Sequence, residues 1–224
     1  IITILVMMAL ISWTVMVRKA GQIIRVSSAN AVFLKLFRAS AGDFAALGHI
    51  VAGTAAVAGV DLAETDRERM RQSPLLHMFK AGVDELRQRL GDENRGDIRS
   101  DHLSTQSIEA IRATIDSHLV QENQALNRLM VLLTVAISGG PFIGLLGTVV
   151  GVMITFAAIA ASGDVNINSI APGIAAALVA TIAGLLVAIP ALFGYNYLLT
   201  RIKEITAEMQ VFVDAFIARM AENY

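Results

Sequence analysis

The sequence contains no cysteine. Disulfide frameworks, thiolate metal sites and cysteine nucleophiles are excluded at once. Charge is scarce as well: only 17% of the 224 residues are Asp, Glu, Lys or Arg. A net charge of −1 without a compact Lys/Arg run gives no electrostatic case for a nucleic-acid partner. His49, His77, His102 and His118 fall in different segments without metal-ligand spacing. The glycines of Gly144 to Thr148 lack a lysine and a preceding strand, so a phosphate loop fails. No Ser/His/Asp arrangement can be argued from spacing, and no enzyme, metal or cofactor is expected. The most informative absence lies between Arg128 and Arg201, where Asp164 is the only ionisable group apart from tyrosines.

What is abundant is apolar: 55% of residues are hydrophobic and the mean hydropathy is +0.61. That composition belongs to membrane proteins. A spanning helix needs about 20 apolar residues for a hydrocarbon core of roughly 30 Å. Ile1 to Val17 supplies one uncharged block ending at Arg18-Lys19. Its positive charges follow the apolar run, whereas a signal peptide carries them before it. Because the block begins abruptly at Ile1, this first helix is expected to be truncated. Leu129 to Gly163 and Val165 to Thr200 are also free of charge. At 1.5 Å per residue each is roughly 50 Å long as a helix, so both are expected to run beyond the bilayer.

The basic flanks set the orientation. Arg18, Lys19 and Arg25 follow the first block, Arg128 precedes the second, and Arg201 and Lys203 follow the third. The connection Ala161-Ser-Gly-Asp-Val-Asn-Ile-Asn168 has no positive charge. The expected plan is therefore all-α. It has a first span over 1–17, a cytoplasmic helical region over 18–128 and a second span over 129–160. A periplasmic loop over 161–168, a third span over 169–199 and a cytoplasmic C-terminal helix over 200–224 complete it. The N-terminus lies outside and the C-terminus inside.

Within the cytoplasmic region, Ser73-Pro74 reads as an N-cap followed by proline at the first helical position. Leu75, Leu76, Phe79, Val83, Leu86 and Leu90 then recur at helical spacing. Gly91 to Gly96 reads as a break, and Asp92 to Asp101 as a surface turn. From about Ser104, Ile108, Ile111, Ile115, Leu119 and Leu126 define an amphipathic helix. No punctuating residue separates it from the second span, so a single rod is expected. After Thr200, Ile202, Ile205, Met209, Phe212, Phe216 and Met220 repeat the pattern. The charges from Glu64 to Arg71 read as a solvated helix face. No strand pattern appears.

Inside the apolar blocks the polar and small residues are ordered. At 100° per residue, Gly140, Gly144, Thr148, Gly151 and Thr155 fall within about 80° on one face. Gly173, Ala177, Thr181, Gly184, Ala188 and Ala191 form a matching stripe. Small residues at such intervals let helix backbones approach closely in lipid. Gly140, Gly144, Gly147, Gly151, Gly173, Ala177 and Gly184 are therefore expected at helix-packing contacts. The threonines have two readings: each hydroxyl bonds back to its own helix, or they line a polar pathway. Two threonines centred in two small-residue stripes favour the pathway, with Thr148, Thr181 and Thr155 as its lining. Hydroxyls and ordered water do not titrate near neutral pH, so a proton-carrying acid has to come from a partner. Pro141 and Pro190 are expected at helix kinks, tolerated where neighbours satisfy the freed carbonyls.

Two segments, Gly140-Pro-Phe-Ile-Gly-Leu-Leu-Gly-Thr-Val-Val-Gly-Val-Met153 and Ile170-Ala-Pro-Gly-Ile-Ala-Ala-Ala-Leu-Val-Ala-Thr-Ile-Ala-Gly-Leu185, carry a resemblance. Together with Ala188-Ile-Pro-Ala-Leu-Phe-Gly-Tyr-Asn196 they resemble the MotA/TolQ/ExbB proton-channel family, and within it most closely the ExbB branch, with TolQ close behind. The resemblance is specific over about 125–224 and weak before it. It implies a pentamer in the bacterial inner membrane enclosing the helices of a single-span, ExbD-like partner. An aspartate on that partner would take up and release protons, energising a TonB-like transducer and outer-membrane transport. Membrane lipids surround such an assembly. Thr148 and Thr181 match the family's pore threonines. Many ExbB and TolQ members carry a glutamate where this chain has Ala176, so any conduction here has to proceed without it. A TolQ-like role in envelope integrity and a non-conducting membrane scaffold are the alternatives. Three spans separate the chain from the flagellar type, which normally has four.

Overall fold

The computed structural model describes residues 1–39, 64–93, 104–163 and 167–223. These are almost entirely helical, and no strand occurs among them. Six helices follow in chain order: α1 (Ile2–Ala39), α2 (Glu64–Met70), α3 (Pro74–Glu93), α4 (Thr105–Asn127), α5 (Met130–Ser162) and α6 (Ile167–Asn223). Three helical stretches, lying in α1, in α4–α5 and in α6, are long and apolar enough to cross a membrane. The protein is an all-α membrane protein. His49, His102 and Asp164 lie outside the described residues, as does most of the Asp92 to Asp101 cluster.

The chain divides into two compact units, each described by itself. One comprises Ile1–Ala20 with Arg128–Thr200; the other comprises Gly21–Asn127 with Arg201–Tyr224. In the first, Leu5, Ala136, Val187 and Ala191 form a buried cluster, with Met8, Ile137 and Ile143 packed against it. Its outer surface is apolar: Trp13, Phe142, Leu186 and Phe193 are all exposed. A contiguous apolar exterior of this kind needs a lipid or protein covering.

The second unit is a helical bundle with an aromatic centre. Phe33, Phe79, Phe212 and Phe216 are fully buried. Phe37 meets Phe212 edge-on at 5.0 Å between ring centres, and Phe79 meets Phe216 edge-on at 5.9 Å. Each such side chain contributes about 1.5–3 kcal/mol by leaving water. Arg219 closes one side, with its guanidinium 4.6 Å from the Phe37 ring and an N–H donated to the Phe37 carbonyl at 3.1 Å. The apolar positions Leu75, Leu76, Phe79, Val83 and Leu86 are buried, as are Ile111, Ile115, Leu119 and Leu126. The whole series from Ile202 to Met220 is buried too. Helical periodicity identified these positions, though not Phe33 and Phe37 of α1.

The helix starts follow local chemistry. Ser73 caps α3, its carbonyl accepting the Leu76 and His77 N–H groups at 3.1 and 3.2 Å. Ser104 caps α4, its hydroxyl accepting the Ser107 N–H at 3.1 Å. Three expectations need correction. Gly91 itself does not break α3, which continues through Glu93, since one glycine in a helix costs only about 1 kcal/mol; the rest of the Gly91 to Gly96 break lies outside the described residues. In the Glu64 to Arg71 face, Asp66 and Arg67 are half-buried rather than solvated. The single rod from α4 into α5 is also interrupted. Leu129 adopts φ 72, ψ −7, a left-handed conformation that ends one helix before the next begins. No glycine or proline marks that break, so sequence pattern could not find it. Pro141 and Pro190 lie within continuous helices.

Candidate functional site

The two small-residue stripes meet each other within one chain, along the seam between α5 and α6. At Gly140 and Gly184 the backbones touch: a Cβ on Gly140 would sit 2.9 Å from the Gly184 carbonyl oxygen, and one on Gly184 would strike the Gly140 oxygen. At Gly144 a Cβ would lie 2.9 Å from the Ala180 oxygen and 3.1 Å from Thr181 Cα. Gly151 faces Ala177, whose methyl would be 2.6 Å away, and Gly173 faces the Thr155 side chain. Gly147 faces Ala180 at 2.5 Å and Ile1 at 3.2 Å. In lipid, where apolar burial gives no drive toward association, such close approach is what dispersion forces require.

The three threonines differ. Thr181 is half-buried and donates its hydroxyl across the seam to the Gly144 carbonyl at 3.3 Å. Thr155 is buried and donates to the Gly151 carbonyl of its own helix at 2.9 Å. Thr148 is half-exposed and donates to the Leu145 carbonyl at 2.7 Å. So two of the three bond back to their own helix, and Thr181 alone of the three links the pair. Each hydroxyl oxygen keeps acceptor capacity for a water or a partner's donor.

The helical wheel explains the placement. Measured from Gly140, Thr148 lies roughly 80° round the helix, at one edge of its stripe, whereas Gly147 lies roughly 20° to the other side of Gly140. Measured from Gly173, Thr181 and Ala180 stand in the same relation. The contacts follow: Gly147 and Ala180 are buried in the seam, and the threonine after each is only half-buried at its margin. Sequence reasoning missed Ala180, although its place one residue before Thr181 repeats that of Gly147 before Thr148. Ser12 of α1 was missed too. It is 1% exposed and its hydroxyl has no hydrogen-bond partner among the described residues. Ala176, where an acid was of interest, is exposed on α6.

The electrostatic character of this unit is set by absence. Its described residues include Arg18, Lys19 and Arg128 but no Asp, Glu or His. No cluster of His, Cys, Asp or Glu able to hold a metal occurs among the described residues of the chain. The seam is a close-packed wall with hydroxyls at its margin and no titratable acid among the described residues.

Residues 70–211, more than half of the chain, match the MotA/TolQ/ExbB proton channel family. The chain belongs to that family. Relatives of the MotA/TolQ/ExbB proteins align mainly over part of their length. The biopolymer transport protein ExbB of Aquifex aeolicus is 46% identical over 83 residues, 37% of this chain and 55% of its own length. The Tol-Pal system protein TolQ of Haemophilus influenzae is 46% identical over 90 residues, 40% of this chain and 39% of its own. TolQ of Pseudomonas aeruginosa is 32% identical over 167 residues, covering 71% of this chain and 68% of its own length. The chain thus spans about half or less of the first two relatives. The match includes α5 and the part of α6 that together form the seam.

Proposed function

We propose that this chain is the proton-conducting stator subunit of an inner-membrane motor. In this reading it couples proton motive force to TonB-dependent outer-membrane transport. A homo-oligomer, a pentamer by family resemblance, surrounds an ExbD-like single-span partner whose aspartate carries the proton. The observation that carries this reading is the seam itself: Thr181 bonds across it, Thr148 lies half-exposed at its margin, and the unit's described residues hold no acid. A titrating aspartate beside such a wall would meet polar neighbours without a second carboxylate to raise its pKa. The basic flanks at Arg18, Arg128 and Arg201 support a cytoplasmic C-terminus.

Two further readings each have an observation behind them. Of the relatives described above, the TolQ of Pseudomonas aeruginosa aligns over the largest share of this chain, which favours a TolQ-like role in envelope integrity. The back-bonded hydroxyls of Thr148 and Thr155 favour a non-conducting scaffold. Copurification from the native membrane separates the TonB-coupled reading from the TolQ-like one by the transducer recovered with the complex, TonB-like or TolA-like. Proton flux into liposomes tests conduction. Chain plus single-span partner should conduct, and chain alone should be nearly silent. Equal flux with and without the partner would overturn the proposal.

A further inference from the structure

The second unit contains a histidine whose two ring nitrogens both face acceptors. His77 stands in the first turn of α3, a position reached because Ser73 and Pro74 start the helix there. Its Nδ1 is 2.9 Å from Glu122 Oε1 on α4, and its Nε2 is 3.1 Å from the Arg71 carbonyl oxygen in the turn between α2 and α3. A neutral imidazole has a single N–H and can satisfy one of these acceptors, leaving its other lone pair against an oxygen. The imidazolium satisfies both. The contact therefore bridges three pieces of backbone only while the ring carries two protons.

The surroundings say what that bridge holds. α3 and α4 are neighbours, and His77 near the start of one meets Glu122 near the end of the other, so the pair clasps that end of the two helices. The turn over 71–73 also meets α1, with Ser73 Oγ donating to Asn30 Oδ1 at 2.7 Å. That junction is buried, and the Asn30 amide nitrogen has no hydrogen-bond partner among the described residues. It is a costly place for the turn to shift.

We propose that His77 is a proton-operated clasp, which in its doubly protonated form ties the 71–73 turn to α4 and on losing a proton releases one of the two. The charged and titratable groups around it set its working range. Glu122 on α4 favours the imidazolium, while Lys80, one turn along α3, opposes it. The partial positive charge at the α3 N-terminus also opposes it. Arg71 contributes its carbonyl, and His118 lies one turn before Glu122 on α4. The net direction is a His77 pKa above the usual histidine value, with the Glu122 hydrogen bond as the largest cause and burial opposing it. The packing of α3 on its neighbours thus follows the pH of the compartment that holds this unit, through a range above the usual histidine value. If that compartment receives protons through the other unit, the clasp senses the product of transport. The clasp itself does not depend on the channel reading.

The test uses the full chain in detergent micelles. With four histidines, nitrogen-15 labelling of His gives a resolvable spectrum, and His77→Gln assigns the signal. The His77 midpoint should lie above the usual histidine value, and Glu122→Gln should lower it by about one unit or more. In hydrogen exchange corrected for intrinsic rates, protection of the 70–77 amides should fall severalfold as pH rises through that midpoint. The fall should be absent in His77→Gln. A His77 already singly protonated at about pH 6, a midpoint unmoved by Glu122→Gln, or identical exchange profiles in wild type and His77→Gln would each overturn the clasp. Flux measurements play no part in this test, so its failure is separable from failure of the channel proposal.

Discussion

Substituting Gly144 by alanine tests whether backbone contact between α5 and α6 sets their separation. The new Cβ would lie 2.9 Å from the Ala180 carbonyl oxygen, 3.1 Å from Thr181 Cα and 3.4 Å from Gly184 Cα. All three are backbone atoms, so no rotamer change relieves the contact. Reaching ordinary contact at 3.4 Å requires the helices to separate locally by about 0.5 Å. The Thr181–Gly144 hydrogen bond, already 3.3 Å, then stretches beyond a useful length. Overpacking costs about 1–3 kcal/mol and the lost interhelical bond about 0.6 kcal/mol. Alanine recovers about 1 kcal/mol of helix propensity. The net expectation is a loss of about 0.6–2.6 kcal/mol. Gly139 is the internal control, because a Cβ there meets only the mobile end of Met8 at 3.3 Å. Gly139→Ala should be neutral or stabilising by up to about 1 kcal/mol. Trp13, the one tryptophan, lies in the same unit. Its fluorescence during denaturant titration in mixed micelles reports on that unit. A Gly144→Ala protein as stable as wild type, with Gly139→Ala behaving as expected, would refute the close-contact argument.

Thr181→Val should abolish most proton flux in co-reconstituted liposomes while the complex still assembles, and Thr148→Val should do the same; wild-type flux from either would remove that residue from the pathway. Leu129→Gly should stabilise the junction between α4 and α5 by about 1 kcal/mol, because glycine adopts φ 72 without the Cβ penalty. Leu129→Ile should cost a similar amount, and equal melting temperatures for the two variants would count against strain there. Stability should also depend on His77. Its folded pKa is raised above an unfolded value of about 6.5. The His77 contribution is therefore complete below that value and lost as pH rises through the folded pKa. Because the pair is partly exposed, this amounts to about 0.2–1 kcal/mol. Denaturation midpoints of wild type and His77→Gln should converge at alkaline pH; a gap that widens there would contradict the sign.

Much of the architecture was legible before any coordinates, because burial in helices leaves a periodic trace. The series Ile111–Ile115–Leu119 and Ile205–Met209–Phe212–Phe216 fix which face of α4 and α6 turns inward, and Ser73 and Ser104 mark where helices start. The charge-free blocks and their basic flanks carry the membrane reading in composition alone. The family was legible for the same reason. Its signature segments are the small-residue stripes, whose spacing survives as sequence.

Other features needed three dimensions. The stripes announce close packing, yet spacing along one helix cannot say which helix is the partner. The coordinates pair Gly140 with Gly184 and Gly151 with Ala177 in the same chain. The hydroxyl partners of Thr148, Thr155 and Thr181 depend on rotamer and on what faces each residue, so only the folded pair separates the cross-seam bond from the two local ones. Leu129 in a left-handed conformation leaves no mark in composition, since any sequence rule places glycine or asparagine there. His77 and Glu122 are 45 residues apart, and nothing local predicts that their helices bring them to hydrogen-bonding distance. Period and composition, then, determined that this chain crosses a membrane with helices packed through small residues and carries no acid in the wall they form outside Asp164. Which backbones touch, which hydroxyl spans the seam and where a rod breaks were decided by tertiary structure, because each depends on atoms distant in sequence meeting at a few ångströms.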